Sequence, residues 1–551
     1  MNRMKRTTKL VCLLLALIFV VALFAGCGAK AEPQSSTPAP AAATPTPDNT
    51  PKEAELVHGG DHDVSEETKY ADEIVMGFSA VGSALDPLNA NTAGQVSQII
   101  YLMIYNTLLT RDREKLDAYG PEIAYEWYPD ETGMNWTFKL RDDVYFTNGE
   151  QLTAEDVKFT WETFMAHPGT TGSLKLGGVE DIEIVNPFEV IYHLKAVDVD
   201  FEDIVANHGT LIMCKKAVES DPENGSLVGS GVWMLDEFKG DSYIRLVANP
   251  NTWEEPAKAK VFTFKAVAEQ TSKAIMFENG ELDYISDVPA QYWEQYEADP
   301  DLALDKWSNI STNYVAFNMN SPIAGNADFR RACAYAIDRE AIMMIATQGT
   351  GHTWDSAAYW GNGTAYKRDD LPVLEQDLDK AKEYLEKAGY KGEEVLLLTS
   401  SAGIHGDVGQ IVQQQLGEIG VNVKIFGTDG ATMMANSAWG STQYDIMTFG
   451  GPWQSIPSSC YFTIQTGLIG NKAQYSNPRV DELVAKGAST PNGPERQAIY
   501  EEIQGILAED IPYIGTLNQN VAYGRHSNCG GAVYWPEGIL DYTYVYKILE
   551  E

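Results

Sequence analysis

Apolar and polar residues alternate in several short segments of this chain, which is typical of strands that bury one face. Residues 136–140 alternate in this way, and residues 144–146, after a polar turn at 141–143, are predicted to return as a second strand. Residues 181–194 are predicted to form a hairpin around the turn signal Asn186-Pro187.

Helical periodicity follows these strands. Apolar side chains recur at the spacing of one helix face over residues 153–165, 328–344, 379–388, 407–419, 481–488 and 495–508. Thr153 and Asp156 have the spacing of a capping box. Gly420 ends one helix, and residues 421–425 are predicted to follow it as a strand. This succession is typical of a parallel or mixed sheet, so the pattern predicts a mixed α/β body.

The longest apolar run, residues 10–25, follows a basic start and directly precedes Cys27. It is short for a bilayer span, which needs roughly 20 residues. The small residues before Cys27 resemble a lipobox, although Phe24 departs slightly from its usual pattern. Residues 1–27 are therefore interpreted as a lipoprotein signal peptide, with lipid attached to the Cys27 sulfur. The alternative is an uncleaved anchor helix, and both interpretations place the body outside the cytoplasm.

Residues 28–72 are predicted to be a disordered linker, because residues 28–51 are mainly Ala, Pro, Thr and Ser and cannot bury enough apolar surface to fold. His58 and His62, with two nearby carboxylates, could hold a transition metal. The glycines between these histidines favour a polar linker instead, so no metal site is predicted.

Composition describes the remaining part of about 480 residues as a globular body of two or three domains. The net charge of −38 excludes nucleic acid as a partner, since phosphate binding needs clustered Lys and Arg. Cys214, Cys333, Cys460 and Cys529 are widely separated. Disulfides are open to an exported chain, but isolated buried thiols are the expectation.

Motifs for catalysis are absent: there is no nucleophile elbow, phosphate loop, zinc-protease helix or dinucleotide-binding glycine set. His193 is expected to be a satisfied residue within a strand. His352 and His405 lie beside glycines and could each line a site. The chain is therefore expected to bind a ligand without converting it and without a cofactor, with an exported hydrolase as the rival class.

An ordered series of motifs extends from about residue 74 to the C-terminus. They lie at residues 85–87, 104–109, 121–127, 136–146, 148–150, 152–157, 228–233, 249–253, 277–283, 329–339 and 379–390. Together they resemble the family 5 extracytoplasmic solute-binding proteins, the oligopeptide, dipeptide and nickel receptors of ABC importers. The expected partners are a small solute, ABC permease subunits and the membrane through the lipid anchor. A monomer is expected. A sensor lipoprotein without transport is an alternative.

The resemblance implies an α/β, two-lobe periplasmic-binding-protein fold with a hinge. Residues 73–312 and 515–551 are expected to form lobe I, with an extra subdomain inserted at residues 95–213. Residues 313–514 are expected to form lobe II. Ligand contacts to both lobes would then select the closed state.

In peptide-binding relatives, a carboxylate shortly after the strand equivalent to residues 444–449 pairs with the α-amino group of the peptide. The corresponding loop here, residues 450–460, contains no acid. Unmodified peptides are therefore expected to bind weakly, since a buried ammonium needs a partner.

Residues 450–453 instead resemble the beginning of the loop of nickel-chelate receptors, whose histidine is not kept, and the arginine of those receptors is missing from residues 207–211. A metal-chelate receptor is the alternative within the family. Trp453 is the leading candidate for ligand contact because it offers a flat apolar face. The other candidates are Gln454, Thr448, Tyr105 and Tyr314.

The lipid anchor leads to the first prediction. Because lipidation needs the Cys27 sulfur, Cys27→Ser should release the protein from membranes or leave its signal peptide uncleaved. Fractionation of cells followed by immunoblotting measures both effects. A processed, membrane-bound Cys27→Ser protein would contradict the interpretation.

Overall fold

A computed structural model describes residues 56–549, except residues 61, 63, 66, 83, 90–93, 117, 355, 357–363, 372, 402, 452–456 and 458–460. All the described residues belong to one compact unit, residues 49–551. The predicted features at Cys27, Trp453, Gln454 and Cys460, and residues 28–55 of the predicted linker, lie outside the described residues.

The described part of the chain contains α-helices between strands, as the periodicity predicted. The helices are α1 (Gln95–Ile104), α2 (Ala154–Ala166), α3 (Thr171–Lys175), α4 (Phe201–Val205), α5 (Lys215–Ser220), α6 (Gln270–Glu278), α7 (Trp293–Ala298), α8 (Ala327–Ala336), α9 (Arg339–Ala346), α10 (Leu378–Lys387), α11 (Gly403–Glu418), α12 (Gly430–Asn436), α13 (Tyr461–Ile464), α14 (Pro478–Ser489) and α15 (Pro494–Asp510).

The strands fall into one large sheet and several small ones. They are β1 (Val57–Gly59), β2 (Glu73–Phe78), β3 (Leu109–Arg111), β4 (Tyr119–Pro121), β5 (Ala124–Pro129), β6 (Asn135–Leu140), β7 (Val179–Asn186), β8 (Glu189–Leu194), β9 (Trp233–Lys239), β10 (Tyr243–Ala248), β11 (Val261–Ala266), β12 (Tyr284–Ile285), β13 (Leu302–Phe317), β14 (Gly351–Thr353), β15 (Glu394–Ser400), β16 (Asn422–Thr428), β17 (Ile446–Gly451), β18 (Tyr513–His526), β19 (Cys529–Gly530), β20 (Ala532–Tyr534), β21 (Leu540–Asp541) and β22 (Tyr546–Lys547).

The large sheet has the strand order β16-β15-β17-β13-β18-β12-β2-β11-β10-β9, and β14 also pairs with β18. We call the half that contains β2 and β9–β12 the first lobe, and the half that contains β14–β17 the second lobe. Within the described chain, β13 (16 residues) and β18 (14 residues) are the strands that run through both halves. Their pairing register shifts between Ser308 and Thr312, next to the point where β17 begins to pair with β13.

Both faces of the sheet in the second lobe are buried, as is typical of α/β folds. Alternate residues of β13 point into different cores. Val315 and Phe317 join the cluster formed with α8 and α11, whereas Tyr314 and Ala316 join the cluster formed with α14 and α15. The second lobe therefore has two buried clusters, one on each face of its sheet.

The first lobe carries an additional four-stranded antiparallel sheet, β5-β6-β8-β7, formed by residues between β2 and β9 in the sequence. Its buried face is aromatic, and Phe138 packs against Tyr192 and Phe201 with ring centroids 5.4 and 6.3 Å apart. The predicted capping box between Thr153 and Asp156 at the start of α2 is confirmed.

The prediction of a linker as far as residue 72 is wrong at its end. Residues 57–59 form β1 and pair antiparallel with β20, and Tyr70 forms an isolated bridge with Ile548. Val57 packs against the core of the first lobe. The long-range partner supplies the burial that the local composition lacks.

Two local predictions are also wrong. The single helix at residues 328–344 is two helices, α8 and α9, because the Asp338 side chain accepts a hydrogen bond from the Ala341 N–H (2.9 Å) and starts a new helix. Residues 144–146 form no ladder strand, and Tyr145 makes only an isolated bridge with Gln151. The strand β6 pairs instead with β5 and β8.

A buried lysine generates the second prediction. Lys472 is 3 % exposed, and its Nζ has no hydrogen-bond partner among the described residues. Burial lowers the pKa of Lys472 to about 8. The unfolded chain holds this proton more tightly, so the contribution of Lys472 to the free energy of unfolding increases as pH rises from about 8 to about 10.4.

Lys472→Met should therefore raise the free energy of unfolding at pH 7 by up to about 3 kcal/mol, and the melting temperature with it. This gain in stability should shrink by pH 10. Thermal unfolding at both pH values measures this difference. Lys382→Met, at an exposed position of α10, is the control. A gain that is equal at pH 7 and pH 10 would contradict the prediction.

Candidate ligand-binding site

The carboxyl ends of two strands in the second lobe meet the place where β13 crosses between the lobes. Gly451 at the end of β17 pairs with Thr312, and Gly450 pairs with Asn313. The strand β15 runs parallel to β17, so it ends at the same edge. Ligands of α/β proteins commonly bind outside the carboxyl ends of strands, which makes this edge the candidate site.

His405 lies in the first turn of α11 at this edge, and two threonines hold its backbone. Thr399 Oγ1 donates a hydrogen bond to the carbonyl oxygen of His405 (2.8 Å). Thr448 Oγ1 lies 3.0 Å from the same oxygen and 2.7 Å from Thr399 Oγ1. The imidazole Nδ1 lies 2.8 Å from Asn313 Oδ1 on the crossing strand. The side chain of His405 is therefore held in one orientation.

The hydrogen bond to Asn313 also assigns the tautomer of His405. Burial lowers the pKa of His405, so the imidazole is neutral at pH 7. An amide oxygen can only accept, so Nδ1 carries the proton and Nε2 keeps its lone pair. The ring lies over Gly450, where a Cβ would come within 2.9 Å of His405 Cε1. Gly450 therefore has to be glycine for the imidazole to lie there.

Polar groups are buried at the crossing itself. Thr312 is fully buried, and its Oγ1 has no hydrogen-bond partner in the described part of the chain. Asn520 Oδ1 on β18 is likewise buried without a partner there. Buried polar atoms usually have partners, so these two oxygens are exceptions within the part of the chain that the structure describes.

The predicted contact residues are separated by the fold. Thr448 and Tyr314 lie in the second lobe near the crossing; the Thr448 hydroxyl is used by Thr399 and His405, and Tyr314 packs edge-on against Tyr513 (5.1 Å). Tyr105 is buried in the first lobe and donates its hydroxyl to the Ser226 carbonyl oxygen. Ligand contact by these residues stays a prediction, as it does for Trp453 and Gln454.

The histidines of the predicted linker are engaged in packing. His62 Nδ1 lies 3.0 Å from the Tyr546 hydroxyl, and Nε2 lies 2.8 Å from the Ser527 carbonyl oxygen. Among the described residues no group of three or more His, Cys, Asp or Glu residues could hold a metal ion. His193 is satisfied by Asn135 Oδ1 (2.7 Å), as expected.

Free, buried thiols were expected at the cysteines of the body. Cys214, Cys333 and Cys529 are free and buried, which confirms the expectation for these three residues.

Sequence reasoning missed a cavity of about 490 Å³ in the first lobe, whose lining includes Tyr105, Glu122 and Glu254. Asn106 Nδ2 donates to both Glu122 Oε1 and Glu254 Oε1 at 2.8 Å. Burial, followed by the charge of Glu254, raises the pKa of Glu122 to about 8, and burial also raises the pKa of Glu254. No local sequence signal joins the two glutamates, because their proximity exists only in the fold.

The family is established by a direct match. Residues 118–470 match the model of the bacterial extracellular solute-binding proteins, family 5 (middle region). This match covers more than half of the chain, so the chain belongs to family 5 of the bacterial extracellular solute-binding proteins, as the motifs predicted. The members of this family are receptors for solutes outside the cytoplasm.

Individual relatives agree with this assignment. The chain is 25 % identical over 465 residues to the nickel-binding periplasmic protein of Escherichia coli K12, covering 78 % of this chain and 86 % of the relative. It is 25 % identical over 497 residues to the oligopeptide-binding protein AppA of Bacillus subtilis, covering 84 % of this chain and 90 % of AppA.

Solved structures of two-lobed binding proteins confirm the predicted fold class. The Helicobacter pylori protein DppA in complex with the peptide STSA superposes with a TM-score of 0.77 at 21 % identity, covering 88 % of this chain and 99 % of DppA. Staphylococcus aureus NikA in complex with Ni(L-His)2 superposes with a TM-score of 0.73 at 19 % identity, covering 87 % of this chain and 100 % of NikA. None of the helices in the described residues is long and apolar enough to cross a membrane.

The glutamate pair generates the third prediction. Because the folded state raises the pKa of Glu122 from about 4.3 to about 8, stability is lost as pH rises through this interval. Glu122→Gln removes the charge and keeps the shape. At pH 8.5 the variant should be more stable than the wild type by about 1–3 kcal/mol of unfolding free energy, and it should unfold at a higher temperature. At pH 5 the two proteins should unfold at similar temperatures.

Thermal unfolding at the two pH values tests this expectation, with Glu131→Gln on the exposed β5–β6 turn as the control. Parallel pH profiles for Glu122→Gln and the wild type would show that Glu122 is ionised normally in the folded protein.

Proposed function

We propose that this chain captures a peptide-like solute between its two lobes and delivers it to an ABC permease. The observation that supports this proposal most strongly is the arrangement at the crossing, where His405 and Asn313 lie beside the carboxyl end of β17. Relatives named for oligopeptide and glutathione binding support the substrate class. Because binding supplies the whole activity, the proposal includes no catalytic step.

The domain division and membrane attachment are parts of the same proposal. Lobe I comprises residues 73–312 and 515–551, with a subdomain inserted at residues 95–213, and lobe II comprises residues 313–514. The change of partner strands along β13 and β18 supports these proposed boundaries. Lipid on the Cys27 sulfur holds a monomeric receptor at the membrane surface.

A metal chelate is the second candidate ligand, and one observation favours it. A neutral imidazole that donates Nδ1–H to an oxygen and keeps its Nε2 lone pair is the usual form of a metal-binding histidine. His405 has this form. A chelated ion needs no further protein cluster, since the chelator supplies the remaining ligands.

The fourth prediction separates the two ligand classes. Calorimetry with reduced glutathione, di- to tetrapeptides and Ni(II)-bis-L-histidine should show binding by the wild type to one class. His405→Gln keeps a donor for Asn313 and loses the metal-binding lone pair. This variant should weaken the affinity for the nickel chelate on the order of 100-fold or more. Its affinity for peptides should fall about tenfold or less.

Trp453→Ala should weaken either ligand by roughly 1–3 kcal/mol, on the scale of a lost aromatic contact. His193→Gln, at a strand of the additional sheet, is the control. Failure of the wild type to bind any member of the panel would reject the proposed ligand classes. Unchanged affinity in both site variants would place the ligand elsewhere.

A further inference from the structure

Two segments that belong to different lobes meet away from the crossing strands. Residues 198–200 precede α4, whose Phe201 and Val205 are buried in the core of the first lobe. The helices α14 and α15 belong to the second lobe. The Val199 N–H donates to the Ala488 carbonyl oxygen (3.0 Å). This hydrogen bond joins the lobes directly.

An ion pair accompanies this hydrogen bond. Arg496 Nη1 and Nη2 donate to Asp200 Oδ1 and Oδ2 at 3.0 and 2.6 Å, so the pair is bidentate. Arg496 is fully buried and the Asp200 side chain is 9 % exposed. We call this contact the Asp200–Arg496 clasp. Buried bidentate pairs are geometrically specific and weakly screened by salt.

The second lobe holds the guanidinium ready for this contact. Arg496 Nε donates to the Gly487 carbonyl oxygen (3.0 Å), and Nη1 also donates to Asn492 Oδ1 (2.7 Å). The guanidinium carbon lies 5.6 Å from the ring centre of Tyr500. With its remaining donors satisfied within one lobe, Arg496 needs only the carboxylate from the other lobe.

The position of Arg496 in its helix supports a specific role. It lies in the first turn of α15, where the helix dipole disfavours a positive charge. Asp200 offsets this disadvantage only while the lobes are together. When the lobes separate, the carboxylate and two N–H groups lose each other and must be hydrated again.

We propose that the Asp200–Arg496 clasp is an affinity-determining contact that shifts the equilibrium between open and closed lobes toward the closed state without touching the solute. The effect on affinity rests on the proposed function, because it presupposes that the two lobes close on a solute. A receptor that is closed for a larger fraction of time binds its solute with a proportionately higher apparent affinity. Asp200 and Arg496 act here as positioning residues.

The experiment measures lobe closure without any ligand, so it remains readable if the proposed ligand classes are wrong. Small-angle scattering gives the radius of gyration of the wild type, Asp200→Asn, Asp200→Glu and Arg496→Met at equal concentration. Asp200→Asn and Arg496→Met should have a larger radius than the wild type, and Asp200→Glu, which keeps the charge, should lie between.

The control is Glu502→Gln, which breaks an ion pair with Arg479 (2.8 Å) that lies within the second lobe. Glu502→Gln should keep the wild-type radius. Far-UV circular dichroism separates opening of the lobes from unfolding. The Asp200 side chain does not cap α4, so Asp200→Asn should leave that helix intact. If Arg496→Met unfolds, the radius of Asp200→Asn decides the test. A wild-type radius in folded Asp200→Asn, or an equal increase in Glu502→Gln, would overturn the proposal.

Discussion

The pairing of β13 with β18 is the interaction on which the described structure depends. These two strands carry the sheet from one lobe to the other, while each lobe has its own buried clusters on either side of them. Between Ser308 and Thr312 the register shifts, so the ladder is irregular at the crossing. A local irregularity of this kind would let the backbone bend there, as the proposed closure of the lobes requires.

Closure of this hinge has a cost and a compensation. Bringing the lobes together would remove water from polar groups at the crossing, including Thr312 Oγ1 and Asn520 Oδ1, two side-chain oxygens without a hydrogen-bond partner among the described residues. A solute with hydrogen-bonding groups can supply those partners. The Asp200–Arg496 clasp adds a contribution that is independent of the solute. The two contributions explain how affinity and selectivity can be set by different residues.

Local patterns predicted the elements whose signals are local. The helices α10, α14 and α15 follow from periodicity, and α2 follows from its capping box. The strand β1 could not be predicted, because three residues have no period and depend on a partner at the other end of the chain. His405 was a candidate because of its glycine neighbours, but its role needed Asn313, and the Glu122–Glu254 pair needed the whole fold.

The pairing of β1 with β20 has a mechanical consequence. Any load applied to the chain ahead of Val57 enters the body through this short ladder and the core of the first lobe, where Val57 packs. The ladder in turn packs against β13, because the Tyr534 hydroxyl donates to Asp305 Oδ2 (3.1 Å) and the Tyr534 ring stacks on Trp307 (4.9 Å). A pull on the amino-terminal side of the receptor would therefore reach the first-lobe part of β13, just before the irregular stretch between Ser308 and Thr312, so attachment and motion share one strand.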